Sequence, residues 1–430
     1  MNQARRLALS SLVKSAKAGK YANLELRAAL GVSDLSPRDK ALYTKLYFGV
    51  VEKKITLDYL LSRVSSLPLN TLSVPALCLL ELGAYQILYL DRVPDRAAIF
   101  ETVELAKKNR PRAEKYVNGV LRRISREKET IFSYLDIPGK KGLALRYGYP
   151  RYLVSLWQES YGKEKCEEIL RAQNTPAPLT IRVNTLKISV SDFCDRLSSL
   201  SIPFHRNVLF PEAITLEKEL DPASLSGFEE GLFFVQDAAA ALAVHRLGAR
   251  PGEAVLDLCA APGGKSFAAA TEMENRGEIL ALELHESRLN LIEKGAERLG
   301  ITILRAQQND SSRKRADLKD KFDRVICDVP CSGYGTIARK PDIRHKDPGD
   351  AEGLPALQYA ILEAGADALK PGGVLLYSTC TLNPAENEDI TDSFLSRHPE
   401  FVRIGESETI FPRGGEHDGF FCDLLEKKHG

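Results

Sequence analysis

The period of apolar and polar positions changes along the chain, and each change marks a different kind of structure. Up to about residue 128 the apolar positions recur at helical spacing. Ala4, Leu7, Ala8, Ser11, Leu12 and Ala16 fall on one face, and the same period runs through 42–61 and 77–89, with breaks at Pro37, Pro68 and Pro94. The pattern predicts an all-helical segment. Residues 129–170 read as a helical connector, with helical stretches at 144–147 and 152–161, and Trp157 is expected to anchor packing. From 171 to 236 the pattern becomes mixed, with strands at 179–184 and 213–216, a helix at 190–200, and turns around Gly227 and Gly231. Short apolar runs at βαβ spacing follow at 254–258, 278–284, 322–330 and 373–381, then a helix at 384–397 and a closing antiparallel pair at 400–404 and 419–426. A chain of 430 residues exceeds one ordinary core. The predicted division is 1–128, an all-α domain; 129–235, a connector with a small α+β module; and 236–430, an α/β domain with a mostly parallel sheet.

The rest of the chain is organised around residues 254–266, AVLDLCAAPGGKS. A strand running into a glycine turn and then a helix presents bare backbone N–H groups and a positive helix end, which suits a carboxylate or phosphate on a ligand. Taken alone, Pro262-Gly263-Gly264 is more often a structural turn than a site. What raises its weight is that the three later strands also end in acidic or cysteine residues, at the end of an open parallel sheet where ligands bind.

Composition adds three constraints. No apolar run reaches the roughly 18 residues of a membrane-spanning helix, so a soluble protein with no membrane partner is expected. The eight cysteines are scattered without a C-x-x-C pair or zinc-type spacing, so neither a disulfide framework nor a metal is expected, and a cytoplasmic, reducing location fits. The net charge of +1 conceals an asymmetry: residues 1–130 hold 23 Lys and Arg against 13 Asp and Glu, leaving 36 against 45 for the remainder. A basic N-terminal domain suggests a polyanionic partner, although solvated helix faces would give the same balance. The first acidic residue is Glu25, and the preceding Arg5, Arg6, Lys14, Lys17 and Lys20 give the start the basic character of a transit peptide. Its apolar face continues into a domain, so it is expected to stay as a first core helix.

LDLCAAPGGKS, DVPCSG and YSTCT, in that order and spacing, resemble the S-adenosylmethionine-dependent RNA cytosine-5 methyltransferases of the Fmu/Sun type. ARRLALSSL, SPRDKALYTKLYFGVV, LELGAYQILYLDRVP and YVNGVLRRI resemble the NusB-like RNA-binding fold, and Arg182-Val183-Asn184 and Val235-Gln236-Asp237 are similar to elements that precede the catalytic sheet in the same methyltransferases. The resemblance implies a NusB-like helical domain, an α+β RNA-binding module and a Rossmann-like class I methyltransferase domain. It also implies S-adenosylmethionine as cofactor, ribosomal RNA as partner and a monomeric enzyme.

It further implies roles. Carbon 5 of cytosine is a poor nucleophile, so methylating it calls for transient addition of a thiolate to carbon 6. Cys380 matches the nucleophile, Cys331 the cysteine that assists product release, and Asp328 the group that contacts the base. The residues alone leave Cys331 and Cys380 tied, and either could be a small buried hydrophobe. The Thr-Cys element and the NusB-like segment favour Cys380. Lys265 or Lys340 could lower a thiol pKa. Cofactor contacts are implied for Cys259, Ala260, Ala261, Pro262, Gly263, Gly264, Lys265, Asp310, Asp328 and Glu283, the last standing where the family more often has Asp. Cys259 and Cys327 also read as packing residues. Arg122, Arg123, Arg182, Arg339, Lys340 and Arg344 are candidate RNA contacts, and Arg182 could instead brace the catalytic domain. The same chemistry on transfer RNA, and a non-catalytic NusB-like antitermination or assembly factor, are the competing readings. Decay of the cysteines or of the glycine turn would have signalled the second, and both are intact.

Overall fold

In the computed structural model, which describes residues 2–18, 22–109, 113–218 and 220–429, the chain forms two units. One holds residues 1–170 together with 340–346, and the other holds 171–339 together with 347–430. Lys20, one of the basic residues near the N-terminus, lies outside the described residues.

The first unit is helical: α1 (Gln3–Ala18), α2 (Ala22–Gly31), α3 (Pro37–Val64), α4 (Val74–Tyr89), α5 (Asp95–Asn109), α6 (Glu114–Arg126), α7 (Gly139–Tyr147) and most of α8 (Arg151–Ala172). The break at Pro37 is the start of α3. Ser36 caps α3, its hydroxyl accepting from the Asp39 N–H at 3.2 Å, and Pro37 occupies the first turn, where its missing donor costs nothing. Helix α4 is buried almost all round through Leu79, Leu80, Leu82 and Ile87, and each such side chain contributes about 1.5–3 kcal/mol. Polar groups taken into this core find partners: the Ser11 hydroxyl donates to Glu25 at 3.0 Å, and Arg5 donates to Gln86 at 2.6 Å. In the connector helices α7 and α8, Leu153, Val154 and Trp157 are buried and Trp157 meets Tyr149 edge-on at 5.7 Å. Gly162, with φ 83°, breaks α8 where the sequence suggests a shorter helix.

The second unit begins with a four-stranded antiparallel sheet in the order β2-β3-β1-β4, built from β1 (Leu179–Val183), β2 (Phe204–Arg206), β3 (Ala213–Leu216) and β4 (Phe233–Val235), with α9 (Val190–Ser199) between β1 and β2. It continues as α10 (Ala238–Leu247), β5 (Ala254–Asp257), α11 (Gly264–Glu272), β6 (Glu278–Glu283), α12 (Glu286–Leu299), β7 (Leu304–Gln308), β8 (Phe322–Asp328), α13 (Leu354–Ala368), β9 (Leu369–Thr379), α14 (Glu388–Arg397), β10 (Phe401–Arg403), β11 (Glu408–Ile410) and β12 (Phe420–Lys427). The main sheet runs β10-β12-β9-β8-β5-β6-β7, with β11 paired to β12. Strands β5 to β9 pair in parallel, and β12 lies antiparallel to β9. The predicted helix at 384–397 is a 3₁₀ turn, Pro384–Glu386, followed by α14.

Chain order reverses at β5. It runs outward through β6 and β7, then returns to β8 on the other side of β5. Such a reversal opens a crevice beyond the carboxyl ends of the strands.

Candidate functional site

Five strand ends, those of β5 to β9, face that crevice. At the end of β5, Asp257 is buried and accepts from the Ser266 hydroxyl at 2.6 Å, which ties the strand to the first turn of α11. The turn between them needs glycine at residue 263. Its φ is 110°, and a Cβ there would lie 2.2 Å from the Phe267 ring. Gly264 is different: a Cβ would meet nothing closer than 3.9 Å. The protein itself leaves that backbone bare. At the end of β6, Glu283 is buried, with one carboxylate oxygen accepting from the Ala261 N–H (3.3 Å) and the other from the His285 N–H (3.1 Å). Asp310, beyond β7, accepts from the backbone and hydroxyl of Ser312, and that hydroxyl bond is the first cause of its lowered pKa.

At the ends of β8 and β9 the chemistry tightens. Registration of Asp328 beside Ser378 lets the Ser378 hydroxyl donate to one Asp328 oxygen at 3.0 Å, while Lys265 pairs with the other at 2.6 Å. Burial opposes the Lys265 charge, but Asp328 overrides it and holds the lysine pKa up. Just past these strands, the Cys331 and Cys380 sulfurs lie 3.4 Å apart. The Cys331 thiol is pushed well up, first by its hydrogen bond with Cys380 and then by burial. Lys265 also interacts electrostatically with Cys380. Lys340, the other lysine considered for that role, is exposed and belongs to the helical unit. Burial likewise pushes up the thiols of Cys259 and Cys327, and Cys327 is completely buried in the sheet core.

These residues fit the cofactor that the resemblance implies. The bare backbone of Gly264 allows close approach, and Glu283 keeps lone pairs for two hydroxyls. One Asp257 oxygen is buried without a hydrogen-bond partner among the described residues, where a cationic amino group would satisfy it. Asp257 is the residue the sequence reading missed; its signal was the acidic end of β5. Burial raises its pKa to about 6. A carboxyl whose folded pKa is raised contributes stability that is full below its unfolded pKa and lost as pH rises through about 6. Asp257→Asn is therefore expected to gain on wild type by on the order of 2–3 kcal/mol between pH 4 and 7. Paired unfolding curves across that range check it.

Three of the arginines assigned to RNA turn inward. The Arg344 guanidinium is 1% exposed, donates to the carbonyls of Glu52, Tyr147 and Gly148 at 3.1–3.4 Å and to the Tyr149 hydroxyl at 3.1 Å, and stacks on the Tyr149 ring. It holds the helical unit together and is too deeply buried to meet a phosphate. Arg182 is buried, paired with Glu272 at 2.7 Å and set over Phe210, which is the bracing alternative. Arg339 joins Asp418 (2.6 Å), Asp237 (3.2 Å) and the Pro178 carbonyl (2.8 Å). Arg123 is committed to Glu127 and the Val64 carbonyl, whereas Arg122 is exposed. A pocket of about 820 Å³ in the helical unit is lined by residues that include Arg6 and Lys14. Among the described residues no helix is long and apolar enough to cross a membrane, and no group of three or more His, Cys, Asp or Glu side chains could hold a metal ion.

Three family models match the chain: the NusB family at residues 2–126, an RsmF/B-like ferredoxin-like domain at 149–222, and the 16S rRNA methyltransferase RsmB/F at 244–426. A curated relative, the probable ribosomal RNA small subunit methyltransferase B of Bacillus subtilis, is 36% identical over 99% of this chain and 98% of its own length. Among solved structures, the crystal structure of PH0851 superposes with a TM-score of 0.82 at 25% identity, covering 98% of both chains. A methyltransferase homologue from Pyrococcus horikoshii matches with a TM-score of 0.61 at 31% identity, covering 68% of this chain and 99% of that one.

Proposed function

We propose, from the premise that the chain belongs to the ribosomal RNA small subunit methyltransferase B family of S-adenosylmethionine-dependent enzymes, that it methylates carbon 5 of a cytosine in 16S ribosomal RNA through a covalent cysteine adduct. The observation that carries this reading is the pair of thiols 3.4 Å apart, set beside an Asp328 carboxylate fixed on both oxygens. A single thiol would suffice for a packing role. Two thiols at the ligand end of a parallel sheet suit addition and release.

S-adenosylmethionine, when bound, supplies an electrophilic methyl group. Gly264, Glu283 and Asp257 would hold it, and the remaining residues act on the base. The Cys380 thiolate adds to carbon 6, forming a C–S bond and making carbon 5 electron-rich enough to accept the methyl group. Asp328, oriented by Lys265 and Ser378, hydrogen-bonds the protonated ring nitrogen 3, so the ring can carry the displaced electron pair. Loss of the carbon 5 proton to a base then restores the ring double bond as the C–S bond breaks. Cys331, whose pKa is held up by Cys380 and by burial, stays a thiol that can donate to the departing Cys380 sulfur. The match of Thr379-Cys380 to the Thr-Cys element of the family favours Cys380 over Cys331 as nucleophile. The target base must leave its stack to reach the thiols.

The test is transfer of labelled methyl from S-adenosylmethionine to unmodified 16S ribosomal RNA, followed by nucleoside analysis. Label in 5-methylcytidine is expected. Label on an exocyclic nitrogen or a ribose, or transfer only to transfer RNA, overturns the reading. For RNA affinity, exposed Arg122 is proposed as a phosphate contact. Arg122→Gln is expected to weaken binding evenly across sequences and reduce the slope of log affinity against log salt by about one, measured by titration over several salt concentrations.

A further inference from the structure

The two cysteine loops are joined by a residue that neither the strand ends nor the cofactor contacts require. Glu386, in the turn after the Cys380 loop, is fully buried. One of its carboxylate oxygens accepts from the Ser332 N–H, next to Cys331, at 2.9 Å and from the Gln358 amide at 3.0 Å; the other accepts from the Asn383 amide at 2.9 Å. The amide orientations are determined by their other bonds. Gln358 Nε2 also donates to the Pro330 carbonyl at 2.9 Å, and Asn383 Oδ1 accepts from the Ala385 N–H at 3.4 Å. Every group facing Glu386 at these contacts is therefore a donor, and only a carboxylate accepts on both sides. Two further ties run between the loops: the Ser332 and Thr381 hydroxyls at 2.6 Å, and the Gly335 N–H donating to the Cys380 carbonyl at 2.9 Å.

We propose that Glu386 is a positioning residue whose carboxylate sets the separation of the Cys331 and Cys380 sulfurs; the consequence for turnover rests on the two-thiol reading above. A displacement of 1 Å at reacting groups costs on the order of 100-fold. Glu386→Gln keeps the size of the side chain but turns one oxygen into a donor facing a donor. It is expected to lower kcat on the order of 10- to 100-fold, to slow adduct release, and to leave KM for S-adenosylmethionine unchanged. Asn383→Asp alone sets two carboxylates against each other and is expected to fall similarly. In the double variant, Glu386→Gln with Asn383→Asp, the new amide at position 386 can donate to the new carboxylate at position 383 while its oxygen still accepts from Ser332 and Gln358. The donor and acceptor are exchanged, and most of the activity should return.

The thiol spacing is also read without substrate. Diamide takes one proton and one electron from each thiol, is itself reduced to the hydrazine, and leaves a disulfide that peptide mapping locates. Cross-linking of Cys331 to Cys380 should be several-fold slower in Glu386→Gln than in wild type and should recover in the double variant. Equal cross-linking rates in wild type and Glu386→Gln, or a double variant no better than the singles, overturn the proposal. If Glu386→Gln does not fold, the double variant is compared with Asn383→Asp. If wild type transfers no methyl to ribosomal RNA, the functional reading fails, and the cross-linking comparison still decides the role of Glu386.

Discussion

Replacing Cys380 by alanine is expected to lower methyl transfer by roughly 10⁴-fold or more and to abolish any covalent RNA adduct, whereas Cys331→Ala accumulates one. The asymmetry follows from the order of events proposed for the two sulfurs. Without Cys380 no bond to carbon 6 forms, so carbon 5 never becomes reactive. Without Cys331 the bond forms and methyl transfer proceeds once, but the thiol placed 3.4 Å from the Cys380 sulfur is no longer there to protonate it on departure. Denaturing gels of protein with labelled RNA separate the outcomes. A stable adduct in Cys380→Ala and none in Cys331→Ala would exchange the roles, making the thiol that follows Pro330 the attacking one.

The second large effect is on stability. Arg344→Ala removes a guanidinium that donates to three carbonyls and a phenol inside the helical unit. Hydrogen bonds to a charged group contribute about 1.5–3 kcal/mol each, and buried carbonyls left without donors cost more. A loss of about 3–5 kcal/mol is expected, lowering Tm of that unit by about 10 °C. Arg344→Lys should recover only part of it, since an ammonium on a flexible stem cannot reproduce the planar fork over Tyr149. Thermal unfolding checks the loss. If Arg344→Ala instead unfolds like wild type and flattens the salt dependence of RNA binding, the arginine contacts phosphate after all.

The difference between what was legible and what was not has a physical basis. The strand ends around Asp328, Glu283 and Cys380 were legible because a strand and the turn that follows it are contiguous in sequence, so chemistry at a sheet edge is written next to the apolar run that creates the edge. That Arg339 and Arg344 face protein groups is not legible in the loop at 339–346, because an arginine carries the same letter whether it faces solvent or carbonyls. What decides is a partner remote in the chain, Glu52 and Tyr147 for Arg344, Asp237 and Asp418 for Arg339. Arg182 is half legible: bracing is one of the two readings the sequence offers, and its ion pair with Glu272 supports it. Glu386 escaped notice for the same reason as the arginines, since its defining donor, the Ser332 N–H, is 54 positions away.

The helical unit is discontinuous in the chain, and this has a consequence for its birth on the ribosome. Residues 1–170 are made first, yet Arg344 and buried Ile343 arrive only after residues 171–339 have been synthesised. At roughly 5–20 residues per second the wait is about 10–30 s. During that interval the carbonyls of Glu52, Tyr147 and Gly148 are without the Arg344 guanidinium that donates to them in the finished protein. The last contacts of the first-made part are thus supplied by a segment encoded between two pieces of the second, which couples completion of the helical unit to translation past residue 346.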